Sequence, residues 1–311
     1  MMDLLIRSLE FALPVLVTIF VGLFFAGLLM ELGTLNRIST LSRPLVSVAH
    51  LPEVCASSFV VSLGSTVAAN SMIARFREDN LMQEREAFLC AMVNSIPAYI
   101  REIFTYQIPI VIPSLGLIAG GLYGFIFMIT AMVKVALVIL LGRILFEKRS
   151  YQGLDHSSLK QVPLTQAVSK ASLGQRKIFA RIAVVYLIMT FMVFWLMDRG
   201  TFEALNVLPL ADAFGVPSES IVPLTTYVAS PILGLGMLGP MIHSGSLTDV
   251  QAMIVLMLGS MFMLPVFALR SMVPNYTALF GPRLGLSVVV FSTGISMLVR
   301  LMFLVAFLKI A

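Results

Sequence analysis

Long apolar stretches separated by short clusters of charge set the pattern of this chain. The first runs from Phe11 to Leu32, and the next three from about Glu53 to Ala74, Ala87 to Ile103 and Leu115 to Phe146. Four more follow near Ile178 to Met197, Pro223 to Ile242, Val250 to Leu269 and Leu284 to Leu308. At about 1.5 Å per helical residue such stretches match a hydrocarbon core of roughly 30 Å, so each is read as one membrane-crossing helix. The fourth is over-long, which implies tilt or a protruding end. Phe11 to Leu32 is not read as a cleavable signal, because no small-residue cleavage site follows it and Pro14 sits in its first turns, where proline is tolerated. Thr34 to Leu51, broken by Asn36, Arg37, Arg43, Pro44 and His50, is too polar to cross and reads as an interfacial or loop segment. The expected architecture is all-α: a polytopic membrane helix bundle of about eight spans.

Composition agrees with this pattern and removes other classes. Apolar letters make up 59% of the chain and charged letters only 12%, against roughly 25% charged in soluble domains. The net charge of +5 is the surplus of Lys and Arg expected in cytoplasmic loops, so it reports orientation and implies no nucleic-acid partner. The segment Glu147 to Lys177 holds Lys148, Arg149, Lys160, Lys170, Arg176 and Lys177 against Glu147 and Asp155, which marks a cytoplasmic linker. Asp198 to Glu219 is acidic on balance and fits the outer face. Residues 1–146 then form a first membrane repeat, 147–177 the basic linker and 178–311 a second repeat. Counting eight crossings puts both termini in the cytoplasm of a multi-pass cell-membrane protein, although it places Arg37 and Arg43 outside. Cys55 and Cys90 sit in apolar segments and suggest neither a disulfide framework nor a metal motif. No cofactor is implied.

The two halves match at an offset near 167 residues, the kind of internal repeat that transporter folds carry. Leu29-Met30-Glu31-Leu32-Gly33 aligns with Leu196-Met197-Asp198-Arg199-Gly200. Arg101, Pro113, Leu115, Gly116 and Leu117 align with Arg270, Pro282, Leu284, Gly285 and Leu286, small gaps being needed between blocks. Met72-Ile73 pairs with Met241-Ile242, and Lys134 and Arg143 pair with Arg300 and Lys309 at the same nine-residue spacing. The expectation is a pseudo-symmetric bundle of two repeats of about four spans each. An even number of crossings makes the repeats parallel, which is the first reading. The turn Arg75 to Glu86 has three arginines and its partner His243 to Asp249 has no Lys or Arg, the asymmetry an inverted pair would show.

Several polar groups fall inside these stretches. Ser58, Ser62, Ser65 and Thr66 recur at helical spacing, with Asn70 at the stripe's edge. Hydroxyls of this kind either bond their own helix carbonyls and glue helices together or line a path. A carboxamide hides less easily, so Asn70 wants a partner or a ligand. The corresponding stretch Ser230 to Pro240 carries Pro231, Gly234, Gly236, Gly239 and Pro240, breakers that give either a kinked packing helix or a discontinuous one framing a midplane site. Asn94-Ser95-Ile96-Pro97 ends the third span, where Pro97 frees a carbonyl one turn earlier. Glu31 with Arg101, and Asp198 with Arg270, are expected to form symmetric structural ion pairs. Lys134 and Arg300 lie within the fourth spans, about two and a half turns or ~13 Å from the end, near the limit of snorkelling, so water or a buried partner is expected.

Enzyme readings fare poorly. His50, His156 and His243 occupy loops or span ends, and neither a His-Glu-x-x-His motif nor a Gly-Lys-Ser/Thr phosphate loop occurs. His243 beside Ser244-Gly245 hints at an intramembrane serine protease, but a nucleophile and its base must meet across a fold rather than along a chain.

The blocks Ser62-Leu63-Gly64-Ser65-Thr66-Val67-Ala68-Ala69-Asn70-Ser71-Met72 and Asn94-Ser95-Ile96-Pro97 resemble the nucleoside-recognition or Gate domain. That family includes concentrative nucleoside transporters, the membrane part of B-type ferrous-iron transporters and spore-maturation membrane proteins. The resemblance is clearest over residues 52 to 146 and extends through the repeat over 218 to 308. It implies inverted repeats and solute-binding polar residues at helix breaks, which here are Ser65, Thr66, Asn70 and Asn94. The cysteine-bearing signature of the iron transporters is missing, and so are intramembrane acids of the kind that grip ribose. The resulting expectation is a permease for a small polar solute, nucleosides among the candidates, bound between the repeats at Ser65, Thr66, Asn70, Asn94, Gly236 and Gly239, with Lys134 and Arg300 as counter-charge. Its partners would be the lipid bilayer, the solute, a coupling ion and, in a homo-oligomer, a second copy. The alternative is a non-transporting membrane scaffold built on the same domain.

Overall fold

The computed structural model describes residues 2–31, 42–148, 163–199, 214 and 216–310, and among these every regular element is helical. Lipid offers no partner for backbone N–H and C=O groups, and a helix satisfies both within one segment. Among the described residues five stretches are long and apolar enough to cross a membrane: Asp3–Val21, Glu84–Leu115, Leu117–Leu145, Asp249–Phe280 and Pro282–Leu308. The protein is thus an all-helical, multi-pass membrane type.

In chain order the first elements are α1 (Met2–Glu31), α2 (Arg43–Val48), α3 (Glu53–Ser62), α4 (Thr66–Glu78) and α5 (Glu84–Val93). Next come α6 (Ile96–Glu102), a π-helical stretch over Ile103–Val111, α7 (Ile112–Leu115) and α8 (Leu117–Leu145). The second half holds α9 (Leu164–Asp198), α10 (Ile221–Ala229), α11 (Pro231–His243), α12 (Asp249–Phe267), a π-helical turn over Ala268–Met272, α13 (Val273–Phe280) and α14 (Pro282–Leu308). Helix α9 begins well inside the segment read as a linker.

Two of the expected spans are not spans. Glu53 to Ala74 breaks at Gly64-Ser65, where Ser65 adopts an extended backbone (φ −151°, ψ 115°) and its hydroxyl accepts from the Ala68 N–H to start α4. Asn94 then bonds both Ser58 on α3 and Asn70 on α4. A continuous helix would hold those two residues about 18 Å apart, beyond the reach of one carboxamide, so the chain turns back on itself. Pro223 to Ile242 does the same at Ser230 (φ −148°, ψ 101°), with Pro231 opening α11 where its missing N–H costs nothing. A Cβ built on Gly234 would lie 2.5 Å from the Tyr227 Cα, although seven residues of straight helix span about 10 Å. Each stretch is therefore a helical hairpin. Its arms, at most 13 residues long, reach about 20 Å and cannot cross a core of ~30 Å.

The direction of the first helices also differs from expectation. The Arg7 guanidinium lies over the Phe194 ring, and Phe20 meets Phe179 edge-on, so α1 and α9 run antiparallel. The Met2 end of α1 and the Leu164 end of α9 lie at opposite ends of this pair. Eight crossings, with both helices starting on one face, would have made this pair parallel.

Local backbone devices recur 165 residues apart, a tighter register than the sequence match. Ser65 and Ser230 start the second arm of each hairpin. Asn80 (φ 57°) and Gly245 (φ 76°) turn the chain after it. Capping boxes follow, from Gln83 and Glu86 before α5 and from Thr248 and Gln251 before α12. Pro109 and Pro274 lie at the two π-helical regions, and Gly116 (φ 85°, ψ 171°) and Gly281 (φ 84°, ψ 163°) end α7 and α13 in a region open to glycine almost alone. The pairing of Gly116 with Gly285 gives way to Gly116 with Gly281. Apolar helices align at many offsets, which is why the sequence alone slipped.

The chain forms two compact units, each drawing on both halves of the sequence. One comprises Met1–Ala98, Lys134–Trp195 and Ser271–Val289, the other Tyr99–Val133, Leu196–Arg270 and Val290–Ala311. In the first, α1 packs along α4, with Ile19, Leu23, Met72, Ile73 and Phe76 fully buried. In the second, α12 is buried over Ala252 to Leu258 against Leu224, Tyr227, Leu235 and Leu238 of the hairpin.

Gly234→Ala should destabilise the protein by about 1–3 kcal/mol, because the added methyl meets backbone that cannot yield. Gly236→Ala, where nothing lies within 4 Å, should leave the thermal unfolding midpoint in detergent nearly unchanged.

Candidate functional site

The first hairpin and α5 bring together the buried polar groups of the first unit. Asn94 caps the C-terminus of α5, so its side chain stands clear of the helix and points across to the hairpin. Its Nδ2 donates to Asn70 Oδ1 at 3.2 Å, and Ser58 Oγ donates to its Oδ1 at 3.3 Å. Ser58, Asn70 and Asn94 are all fully buried. Among the described residues, Asn70 Nδ2 and Thr66 Oγ1 are sealed from solvent and have no hydrogen-bond partner. A buried donor in this state costs about 1–3 kcal/mol, so the cluster holds unspent hydrogen-bonding capacity.

The serine stripe divides by role. Ser62 Oγ donates to the Phe59 carbonyl at 2.6 Å and Ser57 Oγ to Val54 at 2.7 Å, so these hydroxyls are consumed by their own helix. Ser65 is spent on capping α4. Ser58 Oγ likewise bonds its own helix, at the Cys55 carbonyl (2.9 Å), but also faces Asn94 Oδ1. A second tie was not expected: Cys55 on α3 and Cys90 on α5 form a disulfide with their Cα atoms 5.8 Å apart. This corrects the reading that no disulfide is available, since only the packing of α3 on α5 brings the two cysteines together.

At the open end of this hairpin the groups are charged. Arg75 pairs with Asp79 at 2.7 Å, Glu78 with Arg181, and Arg77 donates to the Phe280 carbonyl at 2.9 Å. Partial burial holds the Asp79 carboxyl above its ordinary pKa, against the lowering pull of Arg75.

In the second unit the glycines named from sequence differ in role. Gly239 lets α11 approach the Ser114 carbonyl, which a Cβ would meet at 2.2 Å. Gly236 is open and, with Ser114, Leu235, Pro240 and His243, lines a shallow depression. Arg300 is 5% exposed; its Nε donates to Ser260 Oγ and its Nη1 to the Ser296 carbonyl, each at 3.0 Å. It therefore has the buried partners that its sequence position called for. The Tyr123 and Tyr227 hydroxyls bond each other at 2.6 Å. Gln107 is buried with an unpartnered Oε1 among the described residues. Tyr123, Tyr227 and Gln107 were not singled out from sequence, because one isolated polar letter in an apolar run carries no periodicity; Ser260 entered only as part of the stretch Gly259 to Pro265 that pairs with Asn94 to Pro97.

Lys134 is buried at 3% exposure in the first unit. Arg101 and Arg270 are exposed, and the side chains of their expected partners Glu31 and Asp198 lie outside the described residues.

Asn94→Leu should lower the thermal unfolding midpoint in detergent, since it takes the donor from the buried Asn70 Oδ1 at about 1–3 kcal/mol, while Ser58 keeps its bond to the Cys55 carbonyl. Ser62→Ala, which removes a bond internal to α3, should change stability far less.

No family model matches this chain, and no solved structure matches it. Three uncharacterised proteins of Methanocaldococcus jannaschii align with it almost end to end. One is 24% identical over 285 residues, covering 91% of this chain and 92% of its own. A second is 23% identical over 320 residues, covering 98% of both chains. The third is 23% identical over 306 residues, covering 97% of this chain and 95% of its own. Along its length, then, the chain is similar to archaeal proteins whose names assign no activity.

Proposed function

We propose that this protein is a cell-membrane permease for a small polar solute, built from two inverted halves that each contribute three crossings and one re-entrant hairpin. The crossings are α1, Glu84–Leu115 and α8 in the first half, and α9, Asp249–Phe280 and α14 in the second. An odd number of crossings inverts the halves. With the basic linker cytoplasmic, Arg37, Arg43, Arg75, Arg77 and Arg85 all fall on the cytoplasmic side, and the acidic stretch Asp198 to Glu219 and the Lys- and Arg-free turn after α11 fall outside. Both termini are then outside. This arrangement removes the conflict over Arg37 and Arg43 that eight spans created, and it accords with the antiparallel α1 and α9. It also accords with the Gate-domain resemblance.

The observation that carries the solute reading is the unpartnered Asn70 Nδ2 beside Asn94 and Thr66 in a hairpin too short to cross. Helix breaks at membrane depth persist where they line a cavity or are buried in protein, and in transporters they frame the solute. A second reading, a non-transporting membrane scaffold, is favoured by the zero exposure of Asn70 and Asn94.

Uptake into proteoliposomes separates the two. A permease should accumulate at least one of a panel of labelled nucleosides, metal ions and organic ions, and Asn70→Leu should cut that uptake by tenfold or more. Absence of uptake across the panel would establish the scaffold instead. Topology is read separately by labelling Ser246→Cys and Lys309→Cys with a membrane-impermeant maleimide. Both should react from outside in the six-crossing arrangement, whereas eight crossings put both inside.

A further inference from the structure

We propose that Arg300 is an intramembrane binding site for a small oxyanion, a group that offers two coplanar oxygens as a carboxylate or phosphate does. Arg300 sits within α14, eight residues before its end, in a stretch apolar enough to cross a membrane. A guanidinium at such depth is costly unless it snorkels to a headgroup, pairs with an anion or meets water.

Snorkelling is ruled out by direction. Nη1 donates to the carbonyl of Ser296, one turn back toward the N-terminus of α14, and Nε donates to Ser260 on α12. Both bonds draw the head away from the near end of the helix. The side chain is held by Ser260 and Ser296, both under 5% exposed.

Pairing is incomplete. Among the described residues no carboxylate bonds Arg300, and its two partners are neutral. Two of its five N–H groups are used, so both donors on Nη2 and one on Nη1 are left. One from each Nη nitrogen can form the end-on edge of the guanidinium, the geometry that takes a carboxylate or phosphate in a bidentate fork. The neighbours fit such a ligand. Ser260 Oγ is turned away, donating to the Met257 carbonyl, and Ser296 Oγ is held by the Ser292 carbonyl and Tyr99. The Tyr227 hydroxyl is engaged with Tyr123. The positive group is thus held by two bonds that do not neutralise it.

This inference deepens the permease reading only in naming an anionic group on the cargo; the site itself does not depend on transport. Wild-type protein in phosphatidylcholine nanodiscs, titrated calorimetrically at constant ionic strength with sodium acetate and with sodium phosphate, should bind at least one of them saturably. Arg300→Gln should weaken that binding tenfold or more, and Arg283→Gln, at the exposed start of α14, should leave it unchanged. No saturable binding of either anion, or equal binding by Arg300→Gln, overturns the proposal. Should Arg300→Gln fail to fold, phenylglyoxal labelling of the wild type mapped by mass spectrometry decides. Protection of Arg300 but not Arg283 by the anion supports the site, and an Arg300 that the anion does not protect overturns it. Protection by phosphatidylglycerol nanodiscs without added anion identifies a lipid headgroup as the source. Anion binding without uptake of any solute would overturn the permease and leave the site standing.

Discussion

A helix that stops inside a bilayer strands backbone N–H and C=O groups that hydrocarbon cannot satisfy, and this constraint shapes most of what is distinctive in the chain. The first hairpin meets it with Ser65, whose hydroxyl caps the incoming arm, and with Asn94, whose carboxamide ties both arms from outside. The second meets it differently: Pro231 brings no N–H to its turn, and Gly234 lets the arms close until backbone meets backbone. The turns, the buried carboxamides and the tight glycines are answers to one problem.

The same economy governs the side chains. Most buried hydroxyls in α3, α4, α12 and α14 are consumed by carbonyls three or four residues back, which is the cheapest solution available to them. The exceptions stand out against that background. Asn70 retains an unused donor, and Arg300 retains a charge with only neutral partners. Thr66, Gln107 and Asn275 likewise hold buried polar atoms without a hydrogen-bond partner among the described residues, so such capacity is spread over several positions.

Much of this was legible in the sequence. Apolar runs fixed the class, the break at Ser230-Pro231 was visible as a proline among glycines, and Asn70 and Asn94 stood out because an amide cannot bond its own helix as readily as a serine. That the breaks were turns rather than kinks was not legible. A hairpin of two short apolar arms has the same length and composition as one crossing helix, and only a contact such as Gly234 with Tyr227 separates them. That ambiguity separates the eight expected crossings from the five stretches that, among the described residues, are long and apolar enough to cross. Cys55 and Cys90 were silent for a similar reason: their pairing depends on which face α3 turns to α5, which follows from the turn itself.

The Cys55–Cys90 bond also has a mechanical meaning. It closes a covalent ring of chain that contains α4 and the tip of the first hairpin whole, so any displacement of that hairpin must carry α5 with it. The hairpin of α10 and α11 sits on α12 with no such tether, its closest approach resting on glycine. Two segments with one backbone plan therefore differ in covalent restraint: the first is tied to the helix that follows it, and the second is held by packing alone.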